Sequence, residues 1–376
     1  MADAPPTGAA RPLSHRLVSF LPGRLHRPTL ITATTIRLLV GGALVFYLFV
    51  LALRLLSASA SGVAHLLTQI GADGPLNLLG FGWLLAYGAL SGSPVAALSL
   101  SLLHGGAIST SEALGMVSGS RFGASMVVLL VGFVAYVRGR GRPDGIYVGV
   151  ISLLTTATIY APATVIGLLL LKAGWLHGAV DNVPVQWGDA LAQIVRPIVR
   201  TVDSHVPGVV VFLLGVGSLL TAFTLFDRLL PNLDPPTPRI ESFSRHFRSP
   251  RRMFLLGAAI TSVTMSVSIS LTILVPLTMK GVVRRTDVIP YIMGANITTF
   301  IDTLFASFLV PGGGATEVVV VEMLSVTTVS LVVLALLYGP YSRLLLGTAH
   351  LVSSRLRWLA VFLAIMAAIP LALLLV

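Results

Sequence analysis

Nine long apolar runs, separated by polar or basic segments, decide what this chain of 376 residues can become. The first, Ile36 to Leu56, suits a membrane-spanning helix of about 20 residues. The others lie at 75–103, 112–137, 146–172, 208–230, 253–279, 288–310, 317–339 and 356–376. Composition agrees, because 10% of the residues are charged, against about 25% in a soluble domain. So few charges cannot cover a water-soluble surface of this size. Ordinary globular, disordered and collagen-like classes are excluded, and an all-α polytopic membrane protein remains. The absence of cysteine excludes a disulfide scaffold, a thiolate metal site and a cysteine nucleophile.

A net charge of +11 would suggest nucleic acid in a soluble protein, but in a membrane protein it is read by position. One cluster is Arg138, Arg140 and Arg142; a second runs from Arg228 through Arg239, Arg245, Arg248, Arg251 and Arg252, around Pro-rich 231–238. Lys280, Arg284 and Arg285 form a third, and Arg343, Arg355 and Arg357 a fourth. Segments 57–74, 104–111 and 311–316 contain no Lys or Arg. With every cluster in the cytoplasm, run 75–103 enters and leaves from outside, and run 253–279 enters and leaves from inside. Both are then expected to be re-entrant helical hairpins of opposite orientation. Residues 1–35 are polar and basic without a signal-peptide core, which places the N-terminus in the cytoplasm. Only Lys172 and Lys280 among the basic residues are lysine, a skew that points to a GC-rich genome. The expected location is therefore a plasma membrane, the bacterial inner membrane, crossed many times.

Shifted by 175 positions, the chain matches itself at Pro75/Pro250, Gly82/Gly257, Ser91/Ser266, Ser93/Ser268, Leu102/Leu277, Gly106/Gly281 and Gly119/Gly294. The recurring residues are conformational or are polar within apolar runs, which carries more information than matched leucines. An odd number of crossings between equivalent points inverts the second copy, the plan of many secondary transporters, whose sites lie at the repeat interface. The expected organisation is a basic N-terminal segment at 1–35 and a first transport repeat at 36–175. An extracytoplasmic connector follows at 176–207, then a second repeat at 208–350 containing the cytoplasmic loop 231–252. Residues 351–376 form a C-terminal transmembrane helix for packing or assembly. Amphipathic 187–205 suits either an interfacial helix or a structured loop.

Two polar stations interrupt each copy. Run 75–103 is too long for one straight crossing, and Gly88-Ala89-Leu90-Ser91-Gly92-Ser93-Pro94 at its centre breaks a helix. The second copy has Thr261 to Thr272 instead, with Thr264, Ser266 and Ser268 among its hydroxyls. Hydroxyls can donate to an anion or accept from a cation without burying charge, and a half-helix N-terminus adds N–H groups and positive dipole. The competing reading is that these hydroxyls bond their own helix or glue neighbouring helices. The other station is Gly119-Ser120-Arg121-Phe122-Gly123, with counterpart Gly294-Ala295-Asn296-Ile297-Thr298-Thr299 and Asp302 downstream. Each is expected to break its helix. Arg121 and Asp302 are ionisable groups inside apolar runs, where such residues are costly and usually functional. Arg121 can ligand an anion or pair with Asp302; the sequence leaves both open. The eight histidines are dispersed, and Gly312-Gly313-Gly314 reads as flexible linkage.

At these stations the chain resembles the type II sodium–phosphate cotransporters, over about 36–350. That family repeats an Asn-Pro opening, a Gln-Ser-Ser-Ser hairpin tip and a Gly-Ala-Asn-Ile-Gly-Thr-Thr break. Here the openings are Gly74-Pro75 and Ser249-Pro250, and the tips are Leu90-Ser91-Gly92-Ser93 and Met265-Ser266-Val267-Ser268. Both glutamines are missing, and Arg121 stands where the family has asparagine. The resemblance implies sodium-driven uptake of inorganic phosphate, or a similar small oxyanion, by alternating access. It makes Ser91, Ser93, Ser266, Ser268, Gly294, Asn296, Thr298 and Thr299 candidates for contact with substrate or sodium. Arg121 is then expected to supply a fixed charge in place of one coupling sodium. No catalytic or metal-ligating constellation is recognised, and no cofactor is expected beyond sodium as coupling ion. The expected partners are phosphate, sodium and the lipid bilayer, without nucleic acid; a homo-oligomer is compatible. Two alternatives stand beside transport: a non-transporting regulator or assembly partner on a decayed scaffold, and an intramembrane enzyme or lipid handler.

Overall fold

The computed structural model describes residues 28–69, 71–137, 144–176, 186–229, 249–310 apart from 268–269, 272–273, 275–276 and 279–282, and 312–376. Among these every regular element is helical. Ser268, Lys280, the Arg138–Arg142 cluster, residues 1–27 and most of loop 231–252 lie outside the described residues.

Seven described segments are long and apolar enough to cross a bilayer: Thr35–Ala58, Thr110–Leu130, Gly145–Lys172, Gly208–Leu229, Arg285–Leu309, Gly314–Ser354 and Leu356–Leu374. They belong to helices α1 (Pro28–Ala58), α5 (Thr110–Val137), α6 (Asp144–Lys172), α8 (Gly208–Leu229), α10 (Arg285–Thr298) with α11 (Phe300–Leu309), α12 (Gly313–Val332) with α13 (Tyr338–Ser354), and α14 (Leu356–Leu374). Outward-facing leucines such as Leu39, Leu169, Leu213 and Leu356 are exposed, as suits contact with lipid. The chain is a multi-pass, all-α membrane protein by the length and composition of these helices.

Run 75–103 is no single helix. It forms α3 (Pro75–Ala89) and α4 (Ser93–His104), of 15 and 12 residues. At 1.5 Å per residue each is shorter than the ~30 Å hydrocarbon layer. Proline at the first turn starts both helices, where its missing N–H costs nothing. Pro75 lies against Gly115, Leu79 against Gly119 and Trp83 against Gly123, so α3 runs in the direction of α5. Gly92 lies against Ser120, and the Ser99 hydroxyl donates to the Ala113 carbonyl at 3.0 Å, so α4 runs oppositely. The joint Leu90–Gly92 therefore stands beside the middle of α5.

The same local geometry recurs 175 positions later. Helix α9 (Pro250–Thr264) has the length of α3 and again starts on a proline. Among the described residues the non-glycines with left-handed backbone are Leu90 (φ 50°) and Met265 (φ 49°), each closing its helix at the equivalent position. A Cβ on Gly119 would collide with the Leu79 carbonyl, and one on Gly294 with the equivalent Phe254 carbonyl. These glycines permit close approach of α3 to α5 and of α9 to α10, as small residues do in membrane bundles. Equivalent helices α1 and α8 pack on each other, with Phe49 and Phe223 edge to face at 5.5 Å.

Several expectations need correction. Helix α5 is continuous through Gly119–Gly123, because its glycines serve packing and not a break. Helix α10 likewise runs through Gly294 and Asn296; the interruption is at Thr299, whose backbone stays right-handed. Run 317–339 does not end there. A π-helical turn, Val333–Leu337, absorbs the hydrogen bond that Pro340 cannot make, and helix continues to Ser354, carrying Arg343 with it. Gly313 and Gly314 begin α12 rather than linking. Residues 187–205 fall within an amphipathic helix, α7 (Gln186–His205), packed on α1. Helix α14 packs on α3, where the Tyr87 hydroxyl donates to the Met366 carbonyl at 3.0 Å.

Candidate functional site

The joint after α3 and the joint after α9 face each other across α5 and the α10–α11 interruption. They enclose a cavity of ≈ 20 Å³ lined by Ser91, Gly92, Ser93, Arg121, Ala124, Ser125, Tyr160, Ser266, Val267, Asn296 and Thr299. That volume holds about one water. Of the residues singled out by sequence, Ser91, Ser93, Arg121, Ser266, Asn296 and Thr299 are brought together here. The hydroxyls of Ser91 and Ser93 bond to none of the described residues, and both residues line the cavity. Helix α4 begins at Ser93, so its N-terminal end abuts the cavity.

Arg121 is 5% exposed and reaches from α5 to the start of α11. One terminal nitrogen donates to the Thr299 hydroxyl at 3.4 Å and the other to the Thr303 hydroxyl. Asp302 Oδ1 lies 3.7 Å from the latter nitrogen and accepts from the Thr303 hydroxyl at 2.8 Å. The guanidinium also sits over the Phe300 ring, 4.7 Å from its centroid. Its Nε and the second oxygen of Asp302 are buried without a hydrogen-bond partner among the described residues. Arg121 thus pairs with Asp302 and borders the cavity at once.

Asn296 stands 175 positions after Arg121 and lines the cavity from α10. Its side-chain amide donates to the Thr156 hydroxyl at 3.2 Å, and its carbonyl accepts from the Tyr160 hydroxyl at 2.9 Å. Both partners lie on α6. Trp83, Phe122, Tyr160 and Phe300 form a chain of ring contacts, with successive centroids 4.6, 6.1 and 6.1 Å apart. The polar floor is therefore held by stiff aromatic packing.

Other candidates lie apart from the cavity. Gly119 and Gly294 face neighbouring backbones. Ser120 donates to the Val117 carbonyl at 2.6 Å, Thr298 to Gly294 at 3.3 Å, and Thr264 to Ser266 at 3.2 Å. Asp302 instead borders a larger cleft of ≈ 460 Å³ between α1 and α8, whose walls are otherwise almost wholly apolar. Tyr160, Thr156, Ser125 and Thr303 were not singled out by sequence. The signal for Tyr160 was a tyrosine deep in an apolar run, a common enough feature to pass unremarked. Among the described residues no group of three or more His, Asp or Glu could hold a metal ion.

Compared with family models, with curated proteins and with solved structures, the chain matches none.

Proposed function

We propose that the chain is a secondary transporter of inorganic phosphate or a similar small oxyanion, working by alternating access. The observation that carries this reading is Arg121, a buried guanidinium bordering a cavity between two hydroxyl-bearing joints from equivalent parts of the chain. In this reading run 75–103 and run 253–279 are re-entrant hairpins that enter from opposite faces of the membrane. The two repeats have inverted topology, and the hairpin tips meet at the site. Support comes from the oppositely directed α3 and α4, from the 175-residue recurrence of geometry, and from the motif resemblance to type II sodium–phosphate cotransporters.

An oxyanion would take a planar pair of N–H donors from Arg121, hydroxyls from Ser91 and Ser93, and the positive end of α4. The cavity is too small for phosphate, so in this reading the two joints must part to admit it. Sodium remains the coupling ion that the resemblance suggests, with the Arg121 charge standing in for one site. The test is radiolabelled phosphate flux into proteoliposomes with and without a sodium gradient, set against Arg121→Ala. Saturable flux lost in the variant is expected. The second reading, a non-transporting regulator, draws on the internal partner that Arg121 already has in Asp302. Phosphate binding without flux would favour it.

A further inference from the structure

The most deeply buried carboxyl side chain among the described residues takes no part in the cavity. Glu322 lies on α12 within Val318-Val319-Val320-Val321-Glu322-Met323-Leu324 and has 0% exposure. One carboxyl oxygen accepts from the Ser118 hydroxyl of α5 at 2.5 Å. The other is buried with no hydrogen-bond partner among the described residues. Helix α6 closes over that oxygen at Gly167, where a Cβ would stand 3.2 Å away.

Helix α12 packs on α4, α5, α6, α10 and α11. From α5, Glu322 meets Ser118, which lies three positions before Arg121 along the same helix face. Helix α6 carries Tyr160, whose hydroxyl donates to the Asn296 carbonyl. Helix α11 brings Asp302, already paired with Arg121. Helix α4 carries His104 at its end, and α10 has Arg285 and Asp287 in its first turn and Tyr291 bonded to Ser270. Glu317 lies on α12 itself, more than a turn before Glu322. Among the described residues, then, Glu322 has a hydroxyl for a partner and no cation within salt-bridge distance. A lone carboxylate in an apolar core is expensive and is neutralised or compensated. A metal ion would need several oxygen ligands, and Ser118 is the one supplied.

We propose that Glu322 binds a proton and that this proton is a coupling ion of transport; the inference rests on the transport reading above. The proton adds to the carboxylate from water on one side and leaves to water on the other, with no redox change. An anion arriving beside Arg121, three positions from Ser118 on α5, brings negative charge towards Glu322 and so favours its protonation. By thermodynamic reciprocity, protonated Glu322 strengthens anion binding to the same degree. The Ser118–Glu322 bond joins this event to α5, the helix that carries Arg121.

The test uses the full chain in liposomes with radiolabelled phosphate, an imposed inward proton gradient and equal sodium on both sides. Several-fold stimulation of uptake is expected in the wild type. Glu322→Gln, which preserves shape and the Ser118 partner, should lose that response. The gradient also alters the protonation of phosphate itself, equally for both proteins, so the difference between them is the reading. Equal responses overturn the proposal. Infrared spectroscopy of the protein without phosphate gives an independent readout: a protonated-carboxyl band near neutral pH, absent from Glu322→Gln. A spectrum lacking that band overturns the proton site. Phosphate flux indifferent to the gradient refutes this inference alone. Absence of phosphate flux under every gradient refutes the transport reading and the coupling with it.

Discussion

Arg121 and Asp302 face each other at 3.7 Å across two helices that lie almost half the chain apart in sequence. Both are buried, and one oxygen of the pair and one nitrogen are left without partners. Removing one member of a buried ion pair typically costs about 3–5 kcal/mol, whereas replacing both can be neutral. Arg121→Gln and Asp302→Asn should each lower the melting temperature in detergent, and the double variant should recover most of the loss. Additive losses in this cycle would show that the two do not act as a pair.

Arg121 also bears on ion coupling. If its fixed charge stands in for a sodium, Arg121→Asn, which restores the residue present in the second copy as Asn296, should make phosphate uptake more dependent on sodium. Flux of wild type and variant compared over a series of sodium concentrations decides it. An unchanged sodium response would count against the substitution of charge.

Leu90 and Met265 hold left-handed backbone that costs a side chain about 1 kcal/mol or more each. Neither is well buried, so little packing offsets the cost. Leu90→Gly should therefore be neutral or stabilising, while Leu90→Val, β-branched, should destabilise. Chemical denaturation in mild detergent measures both. A Leu90→Gly variant that melts well below wild type would mean that the leucine side chain, not its backbone, closes the joint.

Much of this architecture was legible from two kinds of residue. Apolar runs located the crossing helices, because the bilayer demands continuous greasy helix. Prolines at 75, 94 and 250 located the starts of the short helices, because proline fixes the first turn. Glycine misled. Gly119, Gly123 and Gly294 read as breakers, yet a membrane helix tolerates glycine where a neighbouring backbone presses against it, and no local pattern reveals that neighbour. Ser120 and Thr298 were indistinguishable from Ser91 by type; only the turn of the helix decides which hydroxyl meets the cavity and which bonds its own backbone. Glu322 was legible by the same rule that picked out Arg121 and Asp302, since it too is ionisable within an apolar run.

Tyr160 holds the Asn296 carbonyl at 2.9 Å, where the interrupted helix would otherwise leave it buried. Tyr160→Phe leaves that acceptor without its partner and should destabilise by about 1–3 kcal/mol. Because Asn296 and Thr299 share the cavity, the same variant should reduce phosphate flux more than Tyr147→Phe, whose hydroxyl bonds the Leu346 carbonyl away from the site. Equal flux in the two variants would detach Tyr160 from function.

The inverted arrangement has a direct test, since the chain lacks cysteine. Ser111, at the start of α5, and Thr286, at the start of α10, are equivalent under the 175-residue shift and both reach the surface. In parallel repeats these positions would lie on one side of the membrane; in inverted repeats they must lie on opposite sides. Ser111→Cys and Thr286→Cys, each alone, would be treated in intact cells with a membrane-impermeant maleimide and again after permeabilisation. Ser111→Cys should react in intact cells and Thr286→Cys only after permeabilisation. Each lies in the first turn of a helix, Thr286 exposed and Ser111 with an exposed hydroxyl bond to Ser109, so neither substitution removes a buried hydrogen bond. Labelling of both from the same side would remove the symmetry on which a shared central site depends, and the transport reading would fall with it.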